Sequence, residues 1–261
     1  MDLHPYIGTA QVVLAIALVV VFPLIDLPTL QRLKRFSSES ARLAFYRRGV
    51  IGTWIVTGVT VSLAPLDTLL VTPRHPGDLP WLDGRPLVFA PLVAVIALLF
   101  LWILWPSIKC LFDKGTRKTY LKAYRSSFIR FMLPVSRRER AWWVLLSVTA
   151  GACEELLYRG FLLQYLRGHL AEGPSLALLP AWLLSSLAFG IGHIYQGKQG
   201  VIETTTAGLV FGMLAILSGN LILPILIHIV VDLRILLIYN PAEDDPANAQ
   251  ALIRGFNPRS D

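Results

Sequence analysis

Windows of roughly twenty mostly apolar residues recur along this chain, each long enough to cross about 30 Å of hydrocarbon as a helix. They fall near residues 8–25, 49–71, 87–105, 142–166, 175–192, 201–217 and 220–238. In lipid a segment must satisfy its backbone groups internally, and for isolated apolar runs of this length that means helix. The expected fold is all-α: a polytopic transmembrane helical bundle of about seven or eight spans. Composition agrees, because 54% of the residues are hydrophobic and only 16% charged, where soluble domains carry about a quarter charged residues. The first window does not read as a cleaved signal peptide. Asp2 and His4 replace a basic start, and no small-x-small site follows the apolar run.

The basic residues are placed unevenly. Residues 26–48 hold six of the 24 lysines and arginines and residues 106–140 hold ten, whereas residues 72–86 between them hold only Arg74 and Arg85. Basic loops stay on the cytoplasmic side, so the chain is expected to start outside, with both rich loops and the C-terminus inside. The net charge of +7 is accounted for by this bias and by attraction to anionic membrane lipids, with no nucleic-acid partner. Cys110 and Cys153 form neither a disulfide framework nor a cysteine-rich metal site.

Four regions follow from this pattern. Residues 1–105 are expected to supply three framing helices, with Asp26 and Asp67 near span ends and Pro23 and Pro65 kinking or ending them. Residues 106–140 form a basic connection. Within it, Tyr120 to Met132 mixes apolar and basic positions, as either a helix on the inner surface or a short helix capping the bundle. Residues 141–238 contain every candidate site residue. Residues 239–261 form a polar tail after Asn240-Pro241.

Ionisable groups inside apolar spans are costly and mark functional sites by default. Glu154-Glu155-Leu156-Leu157-Tyr158-Arg159 lies inside the fourth window. Residues four apart share a helix face, so Glu155 aligns with Arg159 as an ion pair and Glu154 aligns with Tyr158. Glu154 is left with no basic partner on its own helix, which suits it to take a proton from water and return it to a leaving group. Phe189 and His193 stand four apart at the end of the fifth window, with Gly190 and Gly192 permitting close helix approach. His228 and Asp232 stand four apart in the seventh. Three spans each bringing a costly polar group point to one shared cavity.

Several chemistries remain open on these residues. Two histidines and a carboxylate can hold zinc with an open position, although no His-Glu-x-x-His helix is present; Glu154, His193 and His228 would be the ligands. Without a metal, Glu154 and His193 would activate water and His228 would stabilise the oxyanion. Ser185 and Ser186 have no histidine base at a recognised spacing, and no phosphate loop or dinucleotide fingerprint occurs. Buried acids and histidines also suit a proton-coupled transporter.

The three segments resemble the CPBP family of intramembrane proteases, which includes the CAAX prenyl endopeptidases and bacterial relatives linked to bacteriocin self-immunity. Glu154, Glu155 and Arg159 match its Glu-Glu-x-x-x-Arg segment, Phe189 and His193 its Phe-x-x-x-His segment, and His228 and Asp232 its last, usually His-x-x-x-Asn. The resemblance covers about 141–238. It implies an integral-membrane endopeptidase, of the bacterial cell (inner) membrane, acting on a peptide or protein substrate that is lipidated in the CAAX branch. It further implies Glu154 as general base assisted by His193, and His228 with Asp232 at the tetrahedral intermediate. Glu155, Arg159 and Phe189 support them, and no cofactor is needed, zinc being the alternative. A catalytically silent immunity partner would keep the same polar core. Asp232 departs from the usual asparagine: a carboxylate donates no hydrogen bond unless protonated, so its expected task is to orient His228.

One expectation concerns depth. A fourth span starting at Ala141 puts Glu154 about 20 Å along its helix, while His193 ends the fifth span at the inner face. Their meeting requires either that residues 134–143 lie on the surface, or that the fifth span runs past His193.

Overall fold

A computed structural model describes residues 4–25, 27–72, 86–127, 129–170 and 174–239. The described residues are helical almost throughout, in agreement with the all-α expectation. In chain order they form α1 (His4–Ile16), a π-helical turn (Ala17–Val21), α2 (Phe22–Ile25), α3 (Leu27–Arg35), α4 (Glu39–Leu63), α5 (Leu66–Leu70), α6 (Pro86–Phe112) and α7 (Lys114–Ser126). Then follow α8 (Arg137–Glu155), a π-helical segment (Leu156–Leu162), α9 (Leu163–His169), α10 (Pro174–Gly192), α11 (Gly197–Ser218), α12 (Ile222–Leu233) and α13 (Ile235–Ile238). Short 3₁₀ turns lie at Arg130–Met132 and Ile194–Gln196. Among the described residues, Gly8–Arg35 and Ile194–Ser218 are long and apolar enough to cross a membrane. Asp26, Arg74, Arg85 and the tail from residue 240 lie outside the described residues.

The start of α8 is fixed by its own sequence. Ser136-Arg137-Arg138-Glu139 forms a reciprocal capping box: Ser136 Oγ accepts from the Glu139 amide at 3.2 Å, and Glu139 Oε2 accepts from the Ser136 amide at 2.7 Å. The other oxygen of Glu139 takes Arg42 Nε at 2.5 Å, with both side chains buried. Arg42 belongs to α4, which begins ten residues before the apolar window did, at the Ser38 cap. Further along, Gly49 faces Leu146 and Trp54 Nε1 donates to Thr149 Oγ1 at 3.3 Å, so α4 and α8 run parallel.

Small residues set the closest helix approaches, the usual device where lipid offers no hydrophobic drive between helices. A Cβ on Gly190 would stand 2.9 Å from the Val201 carbonyl oxygen and overlap Thr205 Oγ1, and one on Gly208 would stand 3.1 Å from Ser186 Cα. These pairs make α10 and α11 an antiparallel couple. Gly151 gives α8 the same intimacy with Ile229 of α12. α11 closes on Gly219 at φ 72°, a left-handed cap that glycine adopts without steric cost. The turn beyond it is tied to the end of α5: the Thr72 amide donates to the Gly219 carbonyl at 3.0 Å and the Leu221 amide to the Leu70 carbonyl at 3.1 Å.

The stretch 106–140 comprises the end of α6, α7, the 3₁₀ turn and the start of α8. α7 ends at Ser126, short of the expected Met132, and Leu121 is buried with Leu133, Val135, Ile235 and Tyr239. A second inner cluster gathers Leu30 and Leu33 of α3 with Phe131 and Met132.

Candidate functional site

Glu154 and Glu155 are the last residues before α8 changes pitch. Beyond them the helix opens into the π-helical segment, where the Leu163 amide reaches back to the Tyr158 carbonyl. Such turns are rare and concentrate at functional sites. The wider pitch keeps residues four apart close to one face, and Arg159 Nη1 meets Glu155 Oε1 at 3.0 Å with both groups fully buried. The expected ion pair is present. Arg159 Nη2 also donates to the Gly208 carbonyl at 3.1 Å, and the guanidinium lies 4.4 Å from the centre of the Phe189 ring and 5.6 Å from that of Phe211.

The same Glu155 oxygen accepts from His228 Nδ1 at 2.9 Å. One buried carboxylate oxygen thus holds α8 to α12 and sets the imidazole's direction. Asp232 Oδ2 stands 3.7 Å from the other nitrogen, Nε2, within ion-pair reach but beyond hydrogen-bond range, so the hydrogen bond that sets the ring comes from Glu155 and not from Asp232. The His228 ring is further fixed by stacking on Phe211, centroids 5.0 Å apart.

His193 follows the last residue of α10 and leaves helical geometry at φ −103°, ψ 21°. Its Nδ1 donates to the Phe189 carbonyl oxygen at 2.9 Å, and its ring lies 4.8 Å from that of Phe189. Phe189 is itself edge-on to Tyr158 at 5.2 Å. Both histidines therefore spend Nδ1 on an acceptor and leave Nε2 for the cavity.

The two Nε2 atoms converge on Glu154. Glu154 Oε2 lies 3.9 Å from His193 Nε2 and 4.0 Å from His228 Nε2, and among the described residues it has no hydrogen-bond partner. Accessibility rises in steps across the cluster: the Glu155 side chain is 0% exposed, His228 6%, His193 16%, Glu154 23% and Asp232 34%. Glu154 and Asp232 face the open side, and Glu155 and Arg159 form the floor.

α8 is helical from Arg137, with Arg137, Arg138 and Ala141 exposed, and α10 stops at Gly192, immediately before His193. Glu154 stands seventeen residues beyond Arg137, about 25 Å along the axis. The first turns of α8 pack on α4 through Glu139 and on the segment after α13 through Arg140, which donates to the Tyr239 carbonyl at 2.7 Å.

Zinc does not fit these positions. Two ligands on one tetrahedral zinc stand about 3.3 Å apart given bonds of about 2.0 Å, closer than Glu154 stands to either ring. Among the described residues no group of three or more His, Cys, Asp or Glu has a metal-holding arrangement. Ser185 and Ser186 both donate to the Trp182 carbonyl, at 3.1 and 2.7 Å, with no histidine as base. Cys110 and Cys153 are free and buried.

Sequence reasoning did not single out Phe211 or Gly208. Their signal was present in Gly208-Leu209-Val210-Phe211-Gly212, a small-xxx-small stripe of the kind that brings helices together. Residues 137–234, a stretch shorter than half the chain, match the family model described as Type II CAAX prenyl endopeptidase Rce1-like. No curated protein and no solved structure matches the chain.

Proposed function

We propose, from the match of residues 137–234 to the model described as Type II CAAX prenyl endopeptidase Rce1-like and from the geometry of the cluster, that the chain is an integral-membrane endopeptidase in which Glu154 activates water. The observation that carries this reading is the convergence of two imidazole Nε2 atoms on Glu154 Oε2 at 3.9 and 4.0 Å, each ring held by its other nitrogen. A polytopic bundle of seven or eight spans in a bacterial inner membrane is part of the proposal. Residues 1–105 frame it, residues 106–140 cap it, and residues 141–238 carry the chemistry.

The steps follow from the hydrogen-bond assignments. Water donates one proton towards Glu154 Oε2 and the other towards His193 Nε2, which is an acceptor because Nδ1 carries the ring proton bonded to Phe189. Glu154 takes the first proton as the water oxygen bonds to the scissile carbonyl carbon. The oxyanion forms beside His228, which carries a proton on each nitrogen: Nδ1–H on Glu155 and Nε2–H on the oxyanion. Glu154 then delivers its proton to the departing amine nitrogen as the C–N bond breaks. Glu155 and Arg159 act through His228. The substrate class supported by the family match is a peptide or protein that reaches the site from the membrane and is lipidated in the CAAX manner.

The test is cleavage by purified protein in lipid nanodiscs of a farnesylated Cys-Ala-Ala-X peptide and its unprenylated twin. Glu154→Gln should abolish cleavage and His193→Ala should reduce it almost as far. Undiminished cleavage by Glu154→Gln would overturn the mechanism. Proton-coupled flux across sealed vesicles with no cleavage would favour the transporter reading instead.

A further inference from the structure

His193 is the one member of the cluster that lies outside a helix. It sits between the end of α10 and the 3₁₀ turn Ile194–Gln196, with its amide bonded to the Gly190 carbonyl and its carbonyl to the Gln196 amide, at 3.0 and 2.9 Å. The turn ends at Gly197, φ 79° and ψ −179°, a conformation essentially confined to glycine. Two residues after His193 comes Tyr195. Its ring lies 5.7 Å from the His193 ring at an interplanar angle of 35°. The same ring packs on the inner cluster of Leu30, Leu33, Phe131 and Met132, and its hydroxyl accepts from Gln196 Nε2 at 3.2 Å.

Leu30 and Leu33 come from α3, while Phe131 and Met132 come from the 3₁₀ turn of the connection. All four precede the family-matched segment, which starts at residue 137. The one loop that presents the water-activating imidazole is thus bracketed from below by parts of the chain that carry no site residue. The Phe189 bond fixes only the direction of His193 Nδ1. Beyond that bond the imidazole is bounded by two rings, Phe189 at 4.8 Å and Tyr195 at 5.7 Å, and of these Tyr195 ties it to the cluster formed by α3 and the 130–132 turn. Rate is sensitive to such limits: about 1 Å of misplacement can cost a hundredfold.

We infer that Tyr195 is a positioning residue for the hydrolysis, acting as the strut by which α3 and the 130–132 turn hold His193 Nε2 against Glu154. This rests on the reading of the site as an endopeptidase. The contact with His193 is a ring contact, so the strut is assigned to the ring.

Steady-state cleavage in nanodiscs, with thermal midpoints on the same samples, tests it. Tyr195→Ala should lower kcat at least tenfold with KM within about twofold of wild type, since water activation and not substrate contact is disturbed. Tyr195→Phe should retain wild-type kcat. Leu33→Ala should lower kcat in the same direction, and the double variant Tyr195→Ala/Leu33→Ala should be no slower than the slower single, because both break one strut. Tyr195→Ala at wild-type kcat, multiplicative loss in the double variant, or loss in Tyr195→Phe equal to that in Tyr195→Ala would each overturn the inference. Should Tyr195→Ala fail to accumulate, Tyr195→Leu and Leu33→Ala decide between the same outcomes. If wild-type protein cleaves nothing, the endopeptidase reading fails by itself. The strut is then read from diethylpyrocarbonate modification of His193, mapped by mass spectrometry: faster in Tyr195→Ala if the ring holds the imidazole, unchanged if it does not.

Discussion

Glu154 and Glu155 are chemically identical neighbours, and the structure gives them opposite responses to removal. Glu155 is fully buried, and one of its oxygens accepts from both Arg159, at 3.0 Å, and His228, at 2.9 Å. Glu155→Ala deletes the counter-charge of an equally buried guanidinium, which keeps only the Gly208 carbonyl and two aromatic faces. Removing one partner of a buried ion pair costs about 3–5 kcal/mol, because the other charge is left in a low-dielectric setting. At roughly 2–4 °C per kcal/mol for a chain of this length, the thermal midpoint should fall by about 6–20 °C. Glu154 is partly exposed and among the described residues its Oε2 has no partner, so Glu154→Ala breaks no hydrogen bond at that atom and should shift the midpoint by less than about 1 kcal/mol equivalent. Thermal unfolding of detergent-purified variants by intrinsic tryptophan fluorescence reads both. Equal midpoints for the two alanine variants would refute the assignment of Glu155 to the floor and Glu154 to the cavity. Glu155→Gln should fall between them: an amide oxygen can still accept both bonds, but the charge that strengthened them is gone.

Four further outcomes are expected. Gly190→Ala should destabilise by about 1–3 kcal/mol through overpacking and lower cleavage by displacing His193. Adding Thr205→Ala should restore part of both, because it removes the nearest obstruction and leaves the Val201 carbonyl at 2.9 Å. Asp232→Asn should keep the midpoint and keep or raise turnover, since its carboxylate makes no hydrogen bond to His228 at 3.7 Å; loss of activity with the fold intact would show that the charge itself is needed. Glu139→Ala should lower the midpoint, by at most about 3–5 kcal/mol equivalent, because it removes the buried carboxylate opposite Arg42 while Arg42 keeps Ser37 Oγ at 2.7 Å, with KM unchanged in whatever protein remains folded. Chelation followed by metal analysis should leave cleavage intact, and stoichiometric zinc whose removal stops cleavage and whose return restores it would overturn the assignment of Glu154 as base.

Helix content and the members of the cluster were legible because each rests on a local rule. Apolar runs of about twenty residues dictate helix, and a four-residue spacing places Glu155 with Arg159 whatever the rest of the fold does. The starts and ends of helices were less legible. α4 begins at Glu39 because Arg42, which hydropathy assigns to a loop, is neutralised by Glu139 from 97 residues away. The capping box at Ser136 was written in the sequence, but the ion pair that lets it sit inside the protein was not. The same holds for the stop of α10 at Gly192, which needs the Thr205 and Val201 contacts at Gly190 to be known before its level can be set.

The pairing of His228 is the instructive failure. Local spacing offered Asp232 as its partner, four residues on and on the same helix face, and the rule that generated the Glu155–Arg159 pair applied equally well. The difference lies in burial. Glu155 has already left water completely, so a second donor adds a hydrogen bond to a charge whose desolvation is already met by Arg159. Asp232 is a third exposed, and drawing it onto His228 would exchange solvation for a bond of comparable worth. The imidazole therefore turns its Nδ1 to the buried carboxylate of another helix, and this leaves Nε2 with both Asp232, at 3.7 Å, and Glu154, at 4.0 Å, within ion-pair reach. Convergence at the cluster is thus a consequence of which of two carboxylates was already buried, a property no spacing rule contains.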